Sequence, residues 1–240
     1  LSLTACGDVV SGTGEFGKVN YSLYTVYQSE TSSITQSKLL AGHRQRIMTE
    51  LTMRGSRDVE DPSTLTHVLT PAQGVSLIST DDGFDVPDAQ VTVTEPGDYT
   101  LETQLRGQVF DRIALTFAKP ERLDVITWVK LASDQDFQKV STTGSIMVSE
   151  GSQVSVIPVP MADDGERIMG DFEVDITAAP AWAMVATENI FGAYEQGVTS
   201  SADPVSLVFI EPGEVEVTVR DPINNVEGVL YFSVEALAQN

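Results

Sequence analysis

The sequence predicts an all-β protein built from two β-sandwiches in tandem. Three observations support this fold class: short segments in which apolar and polar residues alternate, Gly and Pro turn signals between them, and a segment that occurs twice. The repeated segment is EPGDYTL at Glu95–Leu101, and it returns as EPGEVEV at Glu211–Val217. In each copy the Pro-Gly pair suits a tight turn, and the alternation after it predicts a strand with one buried face.

Further correspondences indicate that the whole chain is a duplication. Val75–Thr80 corresponds to Trp182–Thr187, and both segments precede the Pro-Gly turn. Matching glycines in the two halves lie about 110 residues apart, which indicates duplicated domains rather than a solenoid. The predicted closing strands also correspond, with Ile113, Leu115 and Phe117 matched to Val229, Tyr231 and Val234.

The chain divides into a tether and two domains. We predict that residues 1–17 are the remnant of an export signal followed by a flexible Gly-rich tether. Residues 18–119 then form the first sandwich and residues 120–240 the second, which starts where alternation resumes at Leu123–Leu131. A chain of 240 residues, 41% of them hydrophobic, is large enough for each domain to bury its own core.

The first domain opens with a predicted strand at Val19–Tyr27, which is rich in aromatic and β-branched residues. A second strand is predicted at Ile47–Met53, where alternate residues share one face. Apolar residues across Leu40–Leu51 also fit one side of a helix, so a helix stays open as an alternative there. In the second domain, Pro158 and Pro160 exclude a helix interior at the corresponding place.

The order of these motifs resembles bacterial immunoglobulin-like domains. Each half has a Gly-led strand, such as Gly151–Val156, then a Pro-Gly strand and an apolar closing strand. The resemblance covers most of both halves. It implies two tandem immunoglobulin-like β-sandwiches, of the kind that space, display or bind at a cell surface or in the periplasm. It does not imply a reaction.

The N-terminus contains the only cysteine of the chain, Cys6. The segment Leu3-Thr4-Ala5-Cys6 resembles the lipobox of bacterial lipoproteins, in which an apolar residue and two small residues precede a lipidated cysteine. The resemblance implies that Cys6 carries acyl chains that anchor the protein in a membrane. Because Gly7 rather than Asp follows Cys6, it further implies the outer membrane, on the periplasmic or cell-surface side.

The charge of the chain excludes nucleic acid as a partner. Fourteen Lys and Arg against 35 Asp and Glu give a net charge of −21, which repels a phosphate backbone. The charge is unevenly divided, since residues 1–119 hold 9 basic and 15 acidic side chains, whereas residues 120–240 hold 5 and 20. The second domain, at −15, is therefore the acidic one.

No motif of an enzyme is recognisable, and we predict that the protein is not one. The two histidines, His43 and His67, have neither the spacing of metal ligands nor a neighbouring cysteine pair. We expect His67 to be a strand residue of ordinary solvation. The chain has no Gly-x-Ser-x-Gly nucleophile elbow and no phosphate-binding loop. We predict no catalytic residue, no cofactor and no metal site.

Two acidic loops leave calcium open as an alternative. Asp81–Asp88 and Asp163–Glu166 place several carboxylates on turns where oxygen atoms could surround a cation. Neither loop follows the twelve-residue calcium pattern, and Asp-Gly turns explain both without a metal. A basic cluster could in turn contact lipid or lipopolysaccharide phosphates, or form an ordinary solvated face; it comprises Lys38, Arg44, Arg46, Arg54 and Arg57.

These observations predict a non-enzymatic, lipid-anchored envelope protein that acts as a structural, adhesion or protein-binding module. Its partner would be an envelope or surface protein, which could add a strand to a sheet edge. The alternative is a carbohydrate-binding surface lipoprotein. In that alternative, the aromatic residues Trp182, Phe191 and Tyr194 stack on sugars instead of packing in a core or loop.

Overall fold

The computed structural model consists of β-strands and turns, and the residues it describes contain no α-helix. It describes residues 11–14, 17–24, 34–53, 65–81, 87–105, 107–132, 136–180, 184–187, 200–201 and 205–237. No helix in these ranges has the length and apolar character needed to span a membrane. Two compact units make up the chain. Unit 1 comprises Leu1–Lys119 and Arg167–Asp171, and unit 2 comprises Pro120–Glu166 and Phe172–Asn240.

The strands are numbered in chain order. The first nine are β1 (Ser11–Gly14), β2 (Gly17–Tyr24), β3 (Lys38–Leu40), β4 (Arg44–Met53), β5 (Leu65–Thr70), β6 (Val75–Asp81), β7 (Pro87–Val93), β8 (Gly97–Leu105) and β9 (Gln108–Ala118). They are followed by β10 (Arg122–Lys130), β11 (Gln138–Val140), β12 (Ser145–Ser149), β13 (Gln153–Met161), β14 (Ile168–Asp171), β15 (Asp175–Ala179), β16 (Met184–Thr187), β17 (Ser200–Ser201), β18 (Val205–Phe209), β19 (Gly213–Asp221) and β20 (Val226–Glu235).

Each unit is a sandwich of two sheets with the same strand order. In unit 1 one sheet contains β2-β4-β7-β6 and the other contains β3-β9-β8-β5. The corresponding sheets of unit 2 contain β10-β13-β18-β16 and β12-β20-β19-β15. In both units the short first strand of the second sheet runs parallel to the long closing strand, which is β9 in unit 1 and β20 in unit 2. This is the ABED and GFC arrangement of an immunoglobulin-like sandwich, so the predicted fold class is confirmed.

Alternating side chains fill the core of unit 1. Leu101 on β8 and Leu115 on β9 are buried, and both belong to one apolar cluster. Tyr99, near the start of β8, donates its hydroxyl hydrogen bond to Glu95 O at 2.9 Å. Its ring packs edge to face on Phe117, with centroids 5.5 Å apart. A tyrosine bonded to the backbone just upstream at this corner is a recurring feature of immunoglobulin-like sandwiches.

Unit 2 has its own apolar core, in which Phe209 on β18 and Phe232 on β20 face each other with ring centroids 4.8 Å apart. Because β18 and β20 belong to different sheets, this contact joins the two layers. The Pro-Gly turns are equivalent in the two units: β8 begins at Gly97 with φ of 150° and β19 begins at Gly213 with φ of 144°. Glycine adopts these positive φ values without the steric penalty of a side chain.

The structure corrects one part of the predicted repeat. Phe117 lies opposite Gly97, and Val234 lies opposite Gly213. The residues of β20 that correspond to Ile113, Leu115 and Phe117 of β9 are therefore Leu230, Phe232 and Val234, all of them buried. Val229 and Tyr231, which the sequence comparison matched to Ile113 and Leu115, are exposed. A shift of one residue reverses which side of a strand faces the core.

Two other expectations concern the start of unit 1. The helix considered across Leu40–Leu51 is not formed, since β3 and the long strand β4 occupy this region. The tether was expected to run through residue 17, but Ser11–Gly14 pairs antiparallel with β2 as strand β1. Those four residues are therefore corrected to strand, and residues 1–10 lie outside the described ranges.

Strand β13 contains Pro158 and Pro160, which can donate no backbone hydrogen bond. β13 pairs with β10 along its whole length, but β18 pairs with it only at Gln153–Val156. Both prolines thus occupy the part of the strand that β18 does not reach, where a missing donor is tolerated.

The second sheet of unit 1 receives a strand from much later in the chain. β14 pairs in parallel with β3, and Met169 joins the core of unit 1. The fully buried side chain of Gln45 holds the end of β14: its Nε2 donates to Asp171 O at 3.1 Å, and its Oε1 accepts from Asp171 N at 2.9 Å. A Cβ atom at Gly170 would overlap the Gln45 amide, so this position requires glycine.

We predict that Gln45→Ala lowers the free energy of unfolding by about 2–4 kcal/mol, because it leaves the backbone donor and acceptor of Asp171 without their partner. The measurement is urea denaturation of the full chain. Gln108→Ala, at an exposed position of β9, is the control and should change the free energy by less than about 0.5 kcal/mol. Equal effects of the two substitutions would contradict the role assigned to Gln45.

Candidate functional site

Several predicted functional residues lie outside the part of the chain that the structure describes. They are the lipidation candidate, two members of the basic cluster, the three aromatic residues considered for sugars and the centre of the first acidic loop: Cys6, Arg54, Arg57, Trp182, Phe191, Tyr194 and residues 82–86. The hypotheses attached to them stay predictions.

The second acidic loop is a hydrogen-bonded turn. Ala162 N donates to Glu166 O at 2.8 Å, and Gly165 N donates to Ala162 O at 3.0 Å. The carboxylates also bind within the turn, since Asp163 Oδ1 accepts from Asp164 N at 2.9 Å and Asp164 Oδ1 accepts from Glu166 N at 3.1 Å. These bonds account for both aspartates. Within the described ranges, no three His, Cys, Asp or Glu side chains are grouped to hold a metal ion.

The described members of the basic cluster do not all share a surface. Lys38 lies on β3, whereas Arg44 and Arg46 lie on β4, and these strands belong to opposite sheets of the sandwich. Sequence proximity suggested one basic face because Lys38 precedes the arginines by only a few positions. The chain crosses between the two sheets over that short distance.

Unit 1 contains a buried polar layer that the sequence did not predict. Tyr21 on β2 donates its hydroxyl hydrogen bond to Thr103 Oγ1 on β8 at 2.8 Å. Thr49 Oγ1 on β4 lies 3.0 Å from His67 Nε2 on β5. All four side chains are buried, and each bond joins one sheet to the other. The sequence signal was a threonine at an inward-facing position among apolar residues, but its partner could not be identified from the sequence.

Burial shifts the pKa values of two side chains in this layer, His67 and Tyr21. Desolvation lowers the pKa of His67 to about 4, so the imidazole is neutral at pH 7. The expectation of ordinary solvation for His67 is therefore wrong, although its position in a strand is confirmed. Desolvation also raises the pKa of Tyr21, with a further contribution from Asp111. Both groups make hydrogen bonds across the sandwich, which is a structural use of these side chains.

The outward side of β12 and β20 in unit 2 carries three exposed apolar side chains. Met147 is 65% exposed, Tyr231 is 51% exposed and Val229 is 38% exposed. Met147 on β12 lies opposite Ser233 of β20, and Ser233 follows Tyr231 by two positions on the same side of the strand. The three side chains therefore occupy neighbouring positions on one sheet surface.

Two exposed carboxylates border these residues on the next strand, β19. Glu216 lies opposite Tyr231, and Glu214 lies opposite Ser233. Glu214 Oε1 also accepts a hydrogen bond from Ser233 Oγ at 2.7 Å. We refer to Met147, Val229, Tyr231, Glu214 and Glu216 as the unit 2 face. These five positions place apolar and acidic side chains side by side on one exposed sheet surface.

No family model and no curated protein sequence matches this chain. Among solved structures, domains 5–6 of the S-layer protein SbsC align over 91% of this chain and 100% of their own length, with 13% identity and a TM-score of 0.35. FdeC, an adhesin of Escherichia coli, aligns over 92% of this chain and 64% of its own, with 15% identity and a TM-score of 0.32. At these values the likeness carries no functional argument, and the fold assignment rests on strand order.

We predict that His67 makes the protein less stable in weak acid. The unfolded state takes up a proton with a pKa near 6.5, whereas the folded state does so only near 4. The contribution of neutral His67 is therefore complete above pH 6.5, falls as the pH drops towards 4 and changes no further below that value.

The test compares urea denaturation of the native chain and His67→Gln at pH 7 and at about pH 4.5. The native chain should lose about 2.5 kcal/mol more than the variant between the two conditions. His67→Gln is suitable because it removes the titration and retains a polar side chain near Thr49. The same loss in both proteins would show that other groups cause the acid sensitivity.

Proposed function

We propose that this chain is a non-enzymatic protein of the bacterial cell envelope that serves as a structural, adhesion or protein-binding module. We further propose that it is held at the outer membrane by lipid attached to Cys6. The observation that carries the proposal is the unit 2 face, where Met147, Tyr231 and Val229 are exposed on a folded sheet.

The placement of the polar side chains supports a binding role. In unit 1, Tyr21 is hydrogen-bonded to Thr103 and Thr49 to His67 inside the core. In unit 2, Asp221 is fully buried and its Oδ1 accepts from Ile223 N at 2.9 Å and from Asn224 N at 3.1 Å. These groups stabilise turns and sheets. This structural use of buried polar side chains supports a role that depends on the outer surfaces of the sandwiches.

The anchor is supported by the segment Leu3-Thr4-Ala5-Cys6, which has the residue types of a lipobox. Several acyl chains on one residue hold a protein stably at a membrane, because each buried methylene contributes about 0.8 kcal/mol. The net negative charge of both sandwiches opposes their attraction as whole domains to an anionic lipid surface.

We predict that Cys6→Ser abolishes lipidation and releases the protein from the membrane fraction. The full chain, preceded by an export signal, is expressed with a fatty-acid probe in a bacterium and fractionated. The native protein should be labelled and sediment with membranes, and the variant should be unlabelled and remain in the supernatant. Ser2→Ala is the control, because it alters a neighbouring residue outside the lipobox. Equal labelling of native protein and Cys6→Ser would refute the anchor.

A second experiment separates the protein-binding role from the carbohydrate alternative. The tagged full chain is crosslinked in its native host, and the purified chain is applied to a glycan array. We expect a reproducible crosslinked envelope or surface protein and no glycan signal. Glycan binding without a crosslinked protein would instead favour the carbohydrate-binding hypothesis.

A further inference from the structure

We infer that the unit 2 face docks an extended segment of a partner protein that presents apolar side chains and lysine or arginine on the same side of the segment. This inference rests on the proposed protein-binding function and specifies the surface and the partner chemistry. It follows from three observations: the difference between the two units at equivalent positions, the charge around the face, and the position of β12 in its sheet.

The duplication supplies an internal comparison. Lys38 lies opposite Thr116 in unit 1 as Met147 lies opposite Ser233 in unit 2. The cross-strand pairs likewise make Arg112 equivalent to Val229, and Ala114 equivalent to Tyr231. Where unit 1 has a lysine, an arginine and an alanine, unit 2 therefore has methionine, valine and tyrosine.

The fold does not need apolar residues at these positions. Arg112 of unit 1 points to solvent, and its side chain, 60% exposed, is paired with Glu102 at 2.6 Å. The same strand position in the same sandwich thus accepts a solvated charge. Exposed apolar side chains gathered on one surface are unfavourable unless something covers them. Their presence in unit 2 alone points to a contact that unit 1 does not make.

Charge specifies what would cover the face. Glu214 and Glu216 stand beside the three apolar side chains, and the sequence of the second half carries a net charge of −15. A second copy of this chain would bring the same negative charge and be repelled. A segment with lysine or arginine on the same side as its apolar residues would be attracted by the negative charge of the glutamates, and its cationic groups would stack favourably on the ring of Tyr231.

The position of β12 specifies an extended partner. Among the strands that the structure describes, β12 ends its sheet. The equivalent strand of unit 1, β3, pairs on that same side with β14 in parallel. Unit 1 thus shows how an added strand fits this edge of the sandwich. Side chains of a segment added to β12 would lie next to Met147, on the unit 2 face.

The probe is a fluorescent peptide of about ten residues in which every second position is alternately valine and lysine and the positions between them are threonine, so that valine and lysine share one side of the extended peptide. It is titrated with the full chain in about 0.15 M salt, and binding is followed by anisotropy. Two further peptides test its chemistry: one with serine in place of valine, and one with glutamate in place of lysine. We expect the lysine-valine peptide to bind at least about tenfold more tightly than either.

The variant Met147→Ser/Val229→Thr/Tyr231→Ser removes the apolar side chains and leaves the net charge unchanged. It should weaken binding of the lysine-valine peptide by about tenfold or more. The matched control, Ile210→Ser/Ile223→Ser, removes two other exposed apolar side chains of unit 2 and should bind within about twofold of the native chain. Unfolding midpoints within about 3 °C of the native value would show that the variants remain folded.

The carboxylates are tested in the same way. Glu214→Gln/Glu216→Gln should weaken binding about fivefold or more, whereas Glu173→Gln/Glu211→Gln, which removes two exposed carboxylates elsewhere in unit 2, should have less than half that effect. Each pair changes the net charge equally. A difference in binding between the two double variants therefore depends on where the carboxylates lie and not on the total charge.

Three results would overturn the inference. The serine-lysine peptide could bind as tightly as the lysine-valine peptide, the triple variant could bind like the native chain, or the native chain could form dimers that the triple variant does not. The first would indicate binding by charge alone, and the last would assign the face to a second copy. None of these outcomes bears on lipidation of Cys6 or on crosslinking in the native host, so failure of the proposed function remains distinguishable.

Discussion

The alternation of side chains along a β-strand is the constraint on which the rest of this structure depends. Each sandwich has room for one apolar layer between its sheets, so every strand must place alternate residues inward. The result is a core in which Leu101, Leu115 and Phe117 of unit 1 are matched by Val217, Phe232 and Val234 of unit 2. The outward positions carry no such requirement, and there the two units differ.

Because the outward and edge positions do not have to fill the core, the two units carry different side chains there. In unit 1, the edge of β3 is covered by β14, and the buried amide of Gln45 holds the backbone of Asp171. By the spacing of Gly42 and Gly151, the position equivalent to Gln45 in unit 2 is Val154, which has no hydrogen-bonding side chain. The corresponding edge of unit 2 instead has Met147 near Tyr231.

The polar layer of unit 1 shows that inward-facing side chains must have hydrogen-bond partners when they are polar, as well as fit between the sheets. A buried hydroxyl or imidazole is costly unless it is hydrogen-bonded, and Tyr21, Thr103, Thr49 and His67 meet this requirement by bonding across the sandwich. The bonds orient the sheets relative to each other more specifically than apolar contacts do. They also use the groups that would otherwise be candidates for acid-base chemistry.

The sequence by itself determined the properties that depend on neighbouring residues: the period of two, the Pro-Gly turns before β8 and β19, the duplication and the exclusion of a helix at Pro158 and Pro160. These were predictable because turn geometry and side-chain alternation are local. Only the tertiary structure decided that Val229 and Tyr231 face outward, that His67 is buried beside Thr49, and that β14 pairs with β3. Each of these depends on which distant strand lies opposite and in which register it pairs. A shift of one residue in that register turns every side chain of the strand to the other face of the sheet.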